Sequence, residues 1–504
     1  MKDLQMVEVL KDSDRITESR KVAFSSACRT ELYEKFKSRI VHNPSLDRKL
    51  VSFQANKQVP FYSWFKYREG FSERLVAYLL QHLKPQPGLL LDPFAGVGSS
   101  LFAANALGWQ TKGIELLPVG VYAIQARIVA QKINFDEFNT VVNELIKINF
   151  ADYYNKNYVL KHIVITNKAF PLGEEQQLVG YLSYCHQFIK NDAIRTLLLY
   201  AAFCVLEDIS YTRKDGQYLR WDARSGRSLG KKKFNKGIIL TFHDAIASKL
   251  KQIVSDLETC LTQQYLLGDI ISPQLLVEKQ SKVENLEPEI NQGSCLEILP
   301  KMQASNIDFV LTSPPYANRY DYTRTYALEL VFLGCNEEEV KQLRQKMLSC
   351  TVENRDKRAQ LEQYYIDMGR KQEFLIIDST FQQQAALQEV LTILEVYRKE
   401  GKLNNKNIGR MVGNYFYEMC FVIYELARIL KNGGIVAMVN DNVRYAGEEI
   451  PVDLILSDIA ESFGLFTRYI WTLGRGKGNS SQQMGNHGRS ELRKCVYIWE
   501  KKVL

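Results

Sequence analysis

Two short segments carry residue types at spacings that could do chemistry. The first is Asp92-Pro93-Phe94-Ala95-Gly96-Val97-Gly98. It follows the apolar run 89–91 and precedes the apolar stretch 101–107, which reads as strand, glycine turn, helix. Glycines let a backbone turn sharply and approach a ligand without a Cβ in the way. The first turn of the following helix offers unpaired N–H groups. Residues 111–116 read as a second strand closing in Glu115, and a carboxylate at that strand end can accept hydrogen bonds from both hydroxyls of a ribose. The third glycine of a dinucleotide fingerprint is missing, and so is the Gly-Lys-Ser/Thr of a phosphate loop. Alone, each part reads equally well as a tight turn or a solvated glutamate. Together they point to a nucleoside site.

The second segment is Leu311-Thr312-Ser313-Pro314-Pro315-Tyr316, at the end of the strand pattern 306–312. Two prolines fix φ and remove two N–H donors. What remains is mostly acceptors, the Ser313 hydroxyl and nearby carbonyls. An exocyclic amine presents two N–H donors and is a poor nucleophile, because its lone pair is delocalised into the ring. Acceptors aimed at those hydrogens hold the nitrogen and draw its lone pair outward. Tyr316 adds a ring face on which an extruded base can stack. The plainer alternative is a rigid turn after a strand.

The surrounding pattern supplies elements to position these segments. Residues 61–82 enter an amphipathic helix, with Ser72 a plausible N-cap and Leu75, Leu79 and Leu80 recurring at helical spacing. Helical patterns dominate 120–290 and, with more charge, 335–405. Near the end, helix 415–430 with Asn432-Gly433-Gly434 behind it precedes strand 435–439, helix 451–463 and strands 466–473 and 494–500. Strands alternating with helices predict a doubly wound sheet. The chain has 504 residues, a net charge of +8 and nine scattered cysteines, none at a two-residue spacing. This excludes a zinc or dithiol motif and favours reduced thiols in the cytoplasm. The dispersed histidines give no metal site. No signal-peptide pattern opens the chain and no apolar run is long enough for a bilayer, so no membrane association is expected.

With both motifs in hand, the chain resembles the amino-group DNA methyltransferases. DPFAGVG is similar to their cofactor motif and TSPPY to their catalytic motif. Ser-Pro-Pro-Tyr is typical of the cytosine-N4 enzymes, whereas adenine-N6 enzymes more often have Asp or Asn in place of Ser313. The likeness continues through 435–441, 448–464 and the last strand. It implies a Rossmann-like methyltransferase fold: a mostly parallel seven-stranded sheet, helices on both faces, and helical insertions. It implies S-adenosylmethionine as cofactor, with Asp92, Phe94, Gly96 and Gly98 against its methionine and adenosine parts and Glu115 on the ribose. Phe71 and Ser72 resemble the segment that holds the methionine end. Ser294, in Gly-Ser-Cys-Leu, stands where relatives have an aspartate that reaches the adenine amine. Ser313, Pro314, Pro315 and Tyr316 would hold the target base of double-stranded DNA. A cognate restriction endonuclease or defence-system subunits are the implied partners. Methylation at C5 would need a nucleophilic thiol, typically Pro-Cys, and no cysteine here follows a proline.

The expected catalytic domain comprises 57–130, 286–334 and 406–504, after an N-terminal helical extension 1–56. The region 131–285 would be an inserted target-recognition unit and 335–405 a helical insertion. Inside the former, Arg213, Lys214, Arg220, Trp221, Arg224, Arg227, Lys231, Lys232 and Lys233 interleave charge with a ring, which suits phosphate and base contacts. An ordinary solvated basic loop is the alternative. The loop 474–489, rich in glycine, could close over the site or be a plain hairpin loop. Adenine-N6 or RNA methylation, and a DNA-binding subunit without turnover, remain alternative functions.

Overall fold

The computed structural model describes residues 26–67, 70, 72–215, 218–227, 233–270, 286–473 and 492–502. Eight strands form the main sheet: β1 (Ile40–His42), β2 (Leu89–Asp92), β3 (Gln110–Glu115), β4 (Glu289–Gln292), β5 (Ile307–Thr312), β6 (Leu430–Asp441), β7 (Leu465–Thr472) and β8 (Lys494–Lys501). Their spatial order is β1-β7-β8-β6-β5-β2-β3-β4. Neighbours run parallel except that β8 is antiparallel to both β7 and β6.

The expected seven strands are therefore eight, and the sheet is mixed. The additional edge strand β1 comes from the N-terminal segment that reads as helical. Three residues, two of them solvent-exposed, pair only with Ile470–Thr472, too short a run to show a period. The other edge strand, β4, has the sequence EINQ and lies largely open to solvent. Polar edge strands resist further pairing, and the same polarity hides them from a search for apolar alternation.

Within the sheet, alternation is strict. Leu90, Phe309, Leu311, Ala437, Val439, Val496 and Ile498 face one layer, with helices Glu73–Leu83 and Ser99–Asn105. Leu91, Val310, Val436, Met438, Tyr497 and Trp499 face the other, under helices Ile408–Ile429 and Val452–Ser462. Period-two side-chain direction thus sorts one sheet into two cores. A third core lies among helices Pro118–Ala130, Phe135–Leu145, Leu172–Phe188, Asp192–Ile209 and Phe242–Ile270. The basic stretch folds as a short hairpin, Thr212–Asp215 against Tyr218–Trp221. No helix among the described residues is long and apolar enough to cross a membrane.

Candidate active site

The two chemical segments meet. Strands β2 and β5 are adjacent and parallel, with Leu90 opposite Phe309 and Leu91 opposite Val310, so both motifs leave the sheet at its carboxyl edge. That edge is where ligands bind in open α/β sheets. The Thr312 hydroxyl donates to Asp92 Oδ1 at 2.8 Å, which joins the motifs directly. Asp92 also accepts from Phe94 N at 3.0 Å and from Ser100 Oγ at 2.5 Å. Burial pushes its carboxyl up to about 6, against the pull of those three donors.

A single cleft is lined by Asp92, Phe94, Gly96, Glu115, Ser294, Ser313 and Pro315. Gly96 needs to be glycine on two counts. Its φ is +54°, and a Cβ there would lie 2.8 Å from the Tyr67 ring. Glu115 accepts from Gly96 N and from Leu117 N, both at 2.7 Å, one through each oxygen. Burial raises its carboxyl to about 7, partly offset by those N–H donors. Each oxygen keeps a further lone pair for a hydroxyl donor. Ser294 Oγ, in the cleft lining, donates to Lys346 O at 3.3 Å.

Four other expected site residues, Ser72, Gly98, Pro314 and Tyr316, border the cleft without lining it. Ser72 is fully buried and caps helix Glu73–Leu83, accepting from Leu75 N at 3.2 Å while donating to Leu50 O at 2.6 Å. Both capacities of its hydroxyl are taken by backbone, and it does not line the cleft. Gly98, also outside the lining, serves packing: its φ is +77°, and a Cβ would meet Ile124 Cγ1 at 2.9 Å. Pro314 is buried behind the turn. The Tyr316 hydroxyl accepts from Ser313 Oγ at 3.4 Å, and burial raises the phenol far above its ordinary value. Phe71 and the loop 474–489 fall outside the described residues.

The basic hairpin departs furthest from expectation. Lys214 is 3% exposed, and its Nζ sits 2.5 Å from Glu329, itself 1% exposed. Lys214 also lies 4.8 Å from the ring centres of both Phe65 and Tyr326. It is a core ion pair, not a phosphate contact. Trp221 is buried as well, with the Arg227 guanidinium 4.0 Å above its ring. Arg224 binds Asp222, and Arg220 reaches Asp215 while covering Phe234. Arg213 and Lys233 remain open to solvent. Lys231 and Lys232 lie outside the described residues.

Sequence reasoning missed several walls of the cleft. Tyr67, Ser99, Leu116, Leu117, Tyr322 and residues 346–348 line it too. Ser99 Oγ is buried with no hydrogen-bond partner, an orphan donor and acceptor at the first turn of its helix. The Gly98-Ser99-Ser100 run at a helix start was the signal for it. Tyr67 and 346–348 arrive by tertiary folding and leave no local mark. Apolar walls, an anchored carboxylate and an orphan hydroxyl fit a nucleoside bearing ribose hydroxyls, and S-adenosylmethionine carries that group.

The chain is 45% identical over 474 residues to Type II methyltransferase M.AvaI of Nostoc sp. and to the protein of that name from Anabaena variabilis, covering 93% of this chain and 92% of theirs. It is 39% identical over 479 residues to Type II methyltransferase M.BsoBI of Geobacillus stearothermophilus, covering 94% and 92%. No family model matches the chain, and no solved structure does.

Proposed function

This chain belongs to the Type II methyltransferases, and from that premise we propose that it methylates the exocyclic N4 of cytosine in double-stranded DNA, with S-adenosylmethionine as donor. One observation carries the reading. The acceptor-rich turn at Ser313 opens into the same cleft as the glycine turn at Gly96, with Thr312 hydrogen-bonded to Asp92 between them.

Glu115 would accept the ribose hydroxyls, Phe94 and Leu116 would flank the adenosine, and Gly96 leaves room for the backbone to approach it. Ser99 and Ser294 offer hydroxyls to its polar edges. When bound, the cofactor supplies a methyl group on a sulfonium, already a good leaving group. The protein's part is therefore proximity and orientation. Ser313 Oγ and the carbonyls beside Pro314 and Pro315 accept the amine's hydrogens and turn its lone pair toward the cleft. The two prolines withhold N–H donors that would compete for that lone pair. Tyr316 supports the stacked base.

Serine at 313 favours cytosine over adenine, since adenine-N6 enzymes more often carry Asp or Asn there. The open cations Arg213 and Lys233 are the basic stretch's contribution to DNA binding in this reading, with 131–285 as target-recognition region and 335–405 as a second insertion. The partner is a restriction endonuclease reading the same site. Incubation with methyl-labelled cofactor and duplex DNA, followed by digestion to nucleosides, tests this. Label should run with N4-methylcytosine. Label on N6-methyladenine would overturn the choice of base, and label found only in RNA or protein would overturn DNA as substrate.

A further inference from the structure

Helix Ile408–Ile429 runs back along the sheet into β6, so its amino end lies toward the carboxyl edge where the catalytic turn sits. The loop before it touches the segment after that turn: Arg319 donates to Asn404 Oδ1 at 3.0 Å. The helix's second turn reaches it as well. Tyr415 OH accepts from Asn440 Nδ2, near the end of β6, at 2.8 Å.

A recess opens at this amino end, away from the cofactor cleft. Lys406, Asn407, Gly409, Arg410, Gly413 and Asn414 form one wall of it. Arg358 and Arg398 stand across, and the acids in the lining are Asp356 and Glu395. Arg398 is engaged by Glu395 and Arg358 by Asp378. Arg410 donates to a carbonyl, Val352 O, at 3.0 Å, and among the described residues its charge has no carboxylate partner.

Three features suit an anion here. A 22-residue helix ends without a side-chain cap, since the Asn407 side chain makes no such bond, leaving N–H groups and the positive end of the dipole facing out. Gly409 and Gly413 add no side chain to this wall, and a Cβ at either would make only ordinary contact, at 3.6 Å with Leu394 or Leu391. Asn414 is 7% exposed, and its Nδ2 is buried with no hydrogen-bond partner on the wall of this recess. An amide nitrogen can only donate, so the orphan calls for an acceptor.

We propose that this recess seats a backbone phosphate of the DNA strand carrying the target base. Lys406 and Arg410 supply charge, and the helix end and Asn414 supply N–H donors. The inference rests on the reading of duplex DNA as substrate, and it gives the 335–405 region and the helix after it a direct part in holding that substrate.

The test is the salt dependence of duplex binding by the full-length protein, measured by fluorescence anisotropy. Each neutralised phosphate contributes about 0.9 to the slope of log K against log salt. The double substitution Lys406→Gln with Arg410→Gln should lower the slope by about 0.9 and raise Kd roughly tenfold. Gly413→Leu keeps every charge, suits a helix, and fills the recess, and it should do the same. Cofactor affinity should not move in either. Lys190→Gln with Lys371→Gln removes two exposed charges elsewhere and should keep the wild-type slope. If that control falls as far as the recess variants, only net charge is at work and the inference fails. It fails equally if both recess variants keep the wild-type slope, or if inorganic phosphate saturates the recess while the duplex slopes coincide. Wild-type methyl transfer is run alongside. No label on DNA would sink the substrate reading itself, whereas label with unchanged slopes sinks only the phosphate seat.

Discussion

The cleft and the basic hairpin were equally conspicuous as sequence, yet folding puts their residues to different uses, although Tyr326, beside Lys214, stacks on Tyr67 of the cleft wall. In the cleft, the glycine turn, Glu115 and Ser313 converge on one space. In the basic stretch, several of the described cations engage partners within the protein: Lys214 buried against Glu329, Arg224 on Asp222, Arg227 over Trp221. Glycine and proline motifs report backbone geometry, which is local and survives folding. A run of charge reports composition, and composition does not say which carboxylate waits a hundred residues away.

Breaking the hairpin's core pair should have the largest effect. Lys214→Met leaves Glu329 buried and uncompensated, which costs roughly 3–5 kcal/mol of stability. Thermal or urea unfolding reads this, and adding Glu329→Leu should restore most of the loss. A DNA-affinity defect at unchanged stability would return Lys214 to the DNA-facing set. In the cleft, Ser313→Ala should lower kcat by about 100-fold, with cofactor affinity by calorimetry within about twofold. Unchanged turnover would remove the serine from its assigned role.

Glu115 sharpens the comparison through pH. Its folded carboxyl is raised to about 7, above an unfolded value near 4.3. Its contribution to stability is thus fully present below the unfolded value and lost as pH rises through 7. Ribose hydroxyls donate to the ionised form, so cofactor affinity should rise with pH through this range and level off above it. Glu115→Gln should flatten both profiles; a wild-type affinity that is flat from pH 5 to 8 would contradict the ribose role. The smallest effect belongs to the open hairpin cation. Arg213→Gln should leave stability unchanged and lower the salt slope of DNA binding by at most about 0.9.

Legibility followed the range of the forces involved. The β2–turn–helix–β3 unit, the Ser72 cap and the strand before Ser313 were readable because each is set by neighbours within a few residues. Strands β1 and β4 were not, because short polar edges carry no apolar period. Part of the cleft was hidden as well. Tyr67 covers Gly96 and residues 346–348 close the far wall only after distant segments pack. Ser72 and Gly98 show the converse: a motif names a position, and the fold sets these two outside the cleft lining, where they cap a helix and pack against Ile124.

The pairing of Leu90 with Phe309 joins residues roughly 220 apart in the chain. Closing a loop of that length costs about 2 kcal/mol more entropy than closing one of twenty residues. On a ribosome, the amino-terminal half emerges first and must wait, its central strand bare along one side, until the whole helical excursion and β5 have followed. Newly made enzyme therefore has no assembled cleft until synthesis is well past its midpoint. A break placed inside the excursion should yield two pieces that are each inert and that regain a working centre only on reassembly.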